Sequence, residues 1–261
     1  MSRPLYGTEA FREAAGVTLR PGGLELTRYG VGLMAEAGLP EGGLVLDAGC
    51  GTGASARYLA KRGLVAVGID WHPGPLAGDS AGDTPGCTLG GGMQLVQGDF
   101  MQLPFVPDVF DAALCECTLS LAPDLAMALA GIGRVLKQGA LLLVQDLVLR
   151  TDRPQPVPAA GAVSPFLASG GSCLAGALSF ADWELALAKA GFDVLHREDV
   201  SHALAVFMAK LVWYDLADEL AWLLPKSAGG GSCDCAREAR KRYGYGLFLA
   251  RKRHGRPSGR A

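Results

Sequence analysis

At 261 residues, 49% of them apolar and with a formal charge of only −2, the chain has the composition of one large globular domain. The near-neutral balance argues against nucleic acid as a partner, although nine of the 24 Lys and Arg residues follow Ala236 in a basic tail read as a solvated end. No run of roughly 18 uncharged apolar residues occurs, and the amino terminus MSRPLYGTEAFREA lacks the apolar stretch of a signal peptide. A cytoplasmic protein without a membrane span is therefore expected, and its seven cysteines are read as reduced thiols.

Pro21-Gly22-Gly23 predicts a turn, followed by a helix over Leu24–Ala37 that ends at Gly38 and Pro40. Short apolar runs then alternate with helical patterns. Strands are predicted at Leu44–Ala48, Val65–Asp70, Gln94–Gln97, Ala112–Glu116 and Ala140–Asp146, and helices at Ala54–Arg62 and Pro123–Leu136. That alternation predicts a doubly wound, mostly parallel α/β sheet. Two stretches interrupt it: a Gly-, Pro- and Ser-rich loop at Pro73–Gly92 and an excursion at Thr151–Ser172. Beyond them the pattern gives a helix at Ser179–Ala190, a strand at Phe192–Leu195, a long helix at His202–Leu224 and a last strand at Tyr245–Ala250. Seven strands are expected, the final one antiparallel. The organisation is an amino-terminal helical segment (1–40), an α/β core (41–150), a helical cap with the excursion (151–231) and a terminal strand with the basic tail (232–261), all in one domain.

The first strand runs into Asp47-Ala48-Gly49-Cys50-Gly51-Thr52-Gly53, a D-x-G-x-G-x-G turn opening a helix. Glycines there allow a tight backbone path and close approach of a ligand to free helix N–H groups. The second strand ends in Asp70, where a ribose would present two hydroxyls, and the third in Gly98-Asp99-Phe100. The turn lacks the G-x-G-x-x-G spacing of a dinucleotide site.

These motifs resemble class I S-adenosylmethionine (SAM)-dependent methyltransferases with a Rossmann-like fold, over roughly Leu44 to Asp146. The resemblance implies SAM as cofactor. Gly49, Gly51 and Gly53 would pack under its amino-acid moiety, with Asp47 at the head of the turn and Asp70 on the ribose. Trp71 would lie beside the adenine, Asp99 would accept from its amino group, and Phe100 would flank the ring. Cys115, on the fourth strand, is counted with this set.

Two further segments, Cys115-Glu116-Cys117 through Pro123-Asp124 and Gly171-Ser172-Cys173 through Leu178, are similar to those of arsenite methyltransferases. By that resemblance Cys117 and Cys173 would be the thiolates that hold trivalent arsenic before SAM. Soft thiolates suit a thiophilic centre, whereas the plain alternative is two small buried apolar residues. Where the family carries asparagine before the first cysteine, this chain has Glu116. Cys233 and Cys235 follow a Gly-Gly-Gly linker and could join as helper thiols; no ordinary zinc site is implied, since the pair is too closely spaced. Glu116, His196 and His202 have packing or surface explanations. The expectation is methyl transfer to a soft, thiol-held acceptor such as arsenite. The alternatives are methylation of a small organic molecule at carbon, nitrogen or oxygen, or a SAM-binding protein without activity.

Overall fold

A computed structural model describes residues 13, 16, 18–71, 88–89, 92–150, 173–214 and 242–254. The predicted turn places Gly22 and Gly23 at positive φ, and helix α1 (Gly23–Glu36) follows. Strand β1 (Leu44–Ala48), helix α2 (Ala54–Lys61) and strand β2 (Val65–Asp70) make the first crossover. A two-residue β3 (Thr88–Leu89) precedes β4 (Met93–Gln97), β5 (Phe110–Glu116), helix α3 (Leu125–Val135) and the long β6 (Leu136–Leu149). Then come a 3-10 turn at Cys173–Gly176, the short β7 (Leu178–Ser179), helix α4 (Phe180–Lys189), β8 (Phe192–Asp199), helix α5 (Ser201–Trp213) and β9 (Tyr243–Lys252).

The sheet order is β3-β4-β2-β1-β5-β6-β9-β8, with β7 beside β6. Strands β4, β2, β1, β5 and β6 are parallel, and β9 enters antiparallel between β6 and β8. Discounting the two-residue β3 and β7, this is the expected seven-stranded sheet with an antiparallel last strand. A parallel sheet covered on both faces buries its strands completely, which is why they read as continuous apolar runs rather than alternating ones. Every residue of β5 except Asp111 is buried, as is every β9 residue from Tyr243 to Ala250. One face packs Leu129, Ile132, Trp183 and Leu187 of α3 and α4. The other packs Met34 and Leu59 of α1 and α2.

Differences from the sequence expectations have local causes. The strand at Phe192 extends to Asp199 because it pairs with β9 along its whole length, its alternating burial marking a sheet edge. Within the segment assigned to the cap, β7, α4 and β8 continue the sheet and its helical layer. The long helix from His202 is described as far as Trp213. The loop at 73–87, the excursion at 151–172, the pair Cys233 and Cys235, and the end of the basic tail lie outside the described residues.

One packing contact holds the 173–176 turn against the body of the fold. A Cβ on Gly176 would sit 1.9 Å from the Ser120 carbonyl oxygen, and backbone there cannot yield cheaply. Gly32, in contrast, is an exposed mid-helix residue with nothing within 4 Å of its would-be Cβ. In urea denaturation, Gly176→Ala is expected to lower stability by about 1–3 kcal/mol. Gly32→Ala is expected to raise it by roughly 0.5–1 kcal/mol.

Candidate active site

The parallel strands bring their carboxyl ends to one edge: Ala48 of β1 is in register with Ile69 of β2 and Cys115 of β5, and Asp70 with Gln97. Three glycines at positive φ, Gly49, Gly51 and Gly53, carry the chain from β1 to α2 across this edge. Gly49 is required there, because a Cβ would lie 2.4 Å from the Thr118 side chain. Nothing lies within 4 Å of the corresponding position on Gly51, whose N–H donates to Asp70 Oδ2 at 3.0 Å. Asp47 is 2% exposed and its Oδ2 accepts the Ala56 N–H at 3.1 Å, tying the end of β1 to the first turn of α2.

Farther along the edge, Trp71 exposes 63% of its surface, an unusual place for an indole unless a ring packs on it. Asp99 caps the 3-10 turn Phe100–Gln102 through the Met101 N–H at 2.8 Å, and Phe100 is half-buried against the core. Cys115 is fully buried among apolar residues and exposes no atom to a ligand. Cys50, inside the glycine turn, packs its sulfur against Gly68, and burial, then the Asp47 and Asp70 charges, push its thiol far up.

Sequence reasoning gave Glu116 a packing or surface role, and it made nothing of Arg20. They form a buried ion pair, Arg20 Nη2 to Glu116 Oε2 at 2.7 Å, with side chains 5% and 4% exposed. Ser55 donates to the same oxygen at 2.5 Å, Arg20 Nη1 donates to Gln145 Oε1 at 3.3 Å, and Arg20 also bonds Thr27. Glu116 Oε1, equally buried, has no partner among the described residues. The cluster thus has a carboxylate oxygen for which the described residues provide no donor. Only their separation of 96 residues hid the pair; each taken alone is an ordinary surface residue type.

Cys117 takes the left-handed conformation, φ 58°, directly after β5, and its N–H donates to the Gln145 carbonyl at 2.7 Å. It shares an apolar cluster with Cys173, Tyr243 and Tyr245. Burial, then the Asp146 and Cys173 charges, push its thiol well above the ordinary value. The two predicted thiols therefore fall in one cluster, and burial works against the thiolate form of Cys117. Asp146 is buried and held by the Ser120 and Leu147 N–H groups. His196 pairs with Glu198 on the surface, and His202 is exposed.

Burial, and after it the Glu116 charge, push the Asp47 carboxyl up to about 8 against the pull of Arg20. A group whose folded value exceeds its unfolded one contributes stability fully below the unfolded value and loses it as pH rises through the folded one. The window therefore runs from about 4 to about 8. Asp47→Asn, which cannot ionise, is expected to gain about 1–3 kcal/mol relative to the native chain between pH 5 and pH 8, read by denaturation at both values.

Residues 46–144 match the family described as "Methyltransferase domain". The fatty-acid O-methyltransferase of Mycolicibacterium smegmatis is 35% identical over 137 residues, covering 50% of this chain and 48% of that protein. The sterol 24-C-methyltransferase of Pneumocystis carinii is 30% identical over 186 residues, covering 70% of this chain and 47% of that one. The chain thus spans about half the length of these relatives. Among solved structures, the [4+2]-cyclase SpnF superposes with a TM-score of 0.67 at 24% identity, over 96% of this chain and 94% of that one, a likeness of fold. The arsenite methyltransferase resemblance finds no counterpart in these relatives. Residues 46–144 thus match a methyltransferase domain, and the order of the strands is that of a Rossmann-like fold.

Proposed function

We propose that the protein binds SAM at the carboxyl ends of β1, β2 and β4 and transfers its methyl group to a small organic acceptor beyond β5. The observation that carries this reading is the alignment of the glycine turn, Asp70, Trp71 and Asp99 along one sheet edge, inside the segment that matches the methyltransferase domain. The residues fit the cofactor. Gly51 leaves open space over the turn, and Asp70, half-buried at a strand end, suits ribose hydroxyls. Trp71 offers an open ring face, and the unpartnered Glu116 Oε1 suits an ammonium.

SAM, when bound, supplies an electrophilic methyl on a cationic sulfonium. The protein's part is placement. Asp47 holds the turn against α2, Glu116 provides the negative charge that a cation would meet, and Arg20 keeps that charge from destabilising the fold. Holding an acceptor lone pair in line with the methyl lowers the barrier by positioning alone. The curated relatives named above act, by their names, on a fatty acid and a sterol, which favours an organic acceptor over a metalloid.

A second reading keeps a thiol-held soft acceptor such as arsenite, favoured by one observation: Cys117 and Cys173 share a cluster beside the end of β5. Both would have to ionise on binding, against the burial that raises Cys117. Cys233 and Cys235 would be helpers only in this reading.

Turnover of methyl-labelled SAM, measured with a fatty acid, a sterol, a prenylated quinol and arsenite plus glutathione, tests both readings. Label is expected in an organic product, with transfer kept within about threefold in the Cys117→Ser/Cys173→Ser variant, since burial alone accounts for such thiols. Label in arsenic, abolished by that variant, would establish the thiol-held acceptor instead. Asp70→Ala is expected to weaken SAM binding at least about tenfold by calorimetry, the loss of a charged hydrogen-bond acceptor.

A further inference from the structure

A cavity of about 460 Å³ opens between the amino-terminal turn and α5, within the size range of small-molecule sites. Leu24, Ala203, Val206 and Phe207 give it an apolar wall. Arg20 also lines it, so it abuts the Glu116 ion pair at the carboxyl end of β5, the side where the acceptor must approach. Helix α5 is fixed over this edge by β9: the Ser201 hydroxyl accepts the Tyr245 N–H at 3.0 Å, and the Val200 N–H donates to the Tyr245 carbonyl at 2.9 Å.

The charges around the cavity are unbalanced in one place. Arg20 is committed to Glu116, and Glu25, also on the lining, to Arg28. Lys210 remains. It is exposed, helix α5 (SHALAVFMAKLVW) carries no acid, and no ion-pair partner for it occurs among the described residues. An ammonium beside an apolar wall suits an amphipathic anion.

We propose that this cavity is the acceptor site and that it takes an amphipathic anion. The apolar body lies against Leu24, Val206 and Phe207, the anionic group pairs with Lys210 at the outer end, and the methyl-accepting atom reaches the inner end by Arg20 and Glu116. The proposal rests on the methyl-transfer reading and adds the substrate class to it. It also sets the direction of the acceptor, with its acid turned away from the transferred methyl.

The test uses the full chain, with laurate as the probe and dodecanol as its uncharged match, each titrated calorimetrically beside a SAM titration of the same sample. Laurate is expected to bind more tightly than dodecanol. Lys210→Glu should weaken laurate at least fivefold and leave dodecanol unchanged, Lys210→Arg should restore laurate, and Phe207→Asp should weaken both. Equal affinities for the two probes, or laurate binding indifferent to Lys210→Glu, would overturn the proposal. So would the absence of laurate binding in a sample that binds SAM. Methyl laurate formed from SAM would place the acid at the inner end and overturn the orientation. A sample that binds laurate in this pattern but not SAM would overturn the methyl-transfer reading and leave the anion site standing.

Discussion

Two carboxylates are buried at the ends of neighbouring parallel strands, and Arg20 is the buried cation that faces them. Asp47 closes β1 and Glu116 closes β5; the guanidinium arrives from the turn before α1. Breaking a buried pair of this kind by removing one partner costs roughly 3–5 kcal/mol, because the charge left behind has no water to replace it. The arrangement therefore ties the amino-terminal turn, α1 through Thr27, α2 through Ser55 and β6 through Gln145 to a single point. It also leaves that point electrostatically incomplete. Asp47 is pushed toward its neutral form, and among the described residues Glu116 keeps an unpartnered oxygen, a hydrogen-bond acceptor that a cationic ligand would satisfy.

The parallel core was legible in the sequence because strands buried on both faces must be apolar throughout, as Val45-Leu46 and Leu141–Val144 are. The glycine turn was legible because Gly49 and Gly53 take left-handed conformations, and Gly49 a clearance, that other residues reach only with strain. The Arg20–Glu116 pair was not, since it joins residues far apart in the chain and no local pattern distinguishes a buried glutamate from an exposed one. Likewise the full extent of β8 was not, since the strand expected at Phe192–Leu195 runs on to Asp199. How far that strand pairs with β9 is a matter of topology.

The cysteines carry a related lesson. A motif drew attention to Cys117 and Cys173, and the fold does gather them into one cluster with Tyr243 and Tyr245. Proximity is a condition for joint ligation, not evidence of it, and burial works against the thiolate form that a soft acceptor needs. The cavity beside α5, with its apolar wall and with Lys210 on its lining, had no sequence signature, because its lining comes from two segments far apart in the chain.

The most direct measurement is calorimetric titration of SAM and of S-adenosylhomocysteine into the native chain and into Glu116→Gln, with folding checked by circular dichroism. The account predicts that both ligands bind the native chain and that Glu116→Gln weakens both at least about tenfold, because their common ammonium loses a buried carboxylate. Unchanged affinity in a folded Glu116→Gln, or no binding by the native chain, would contradict it.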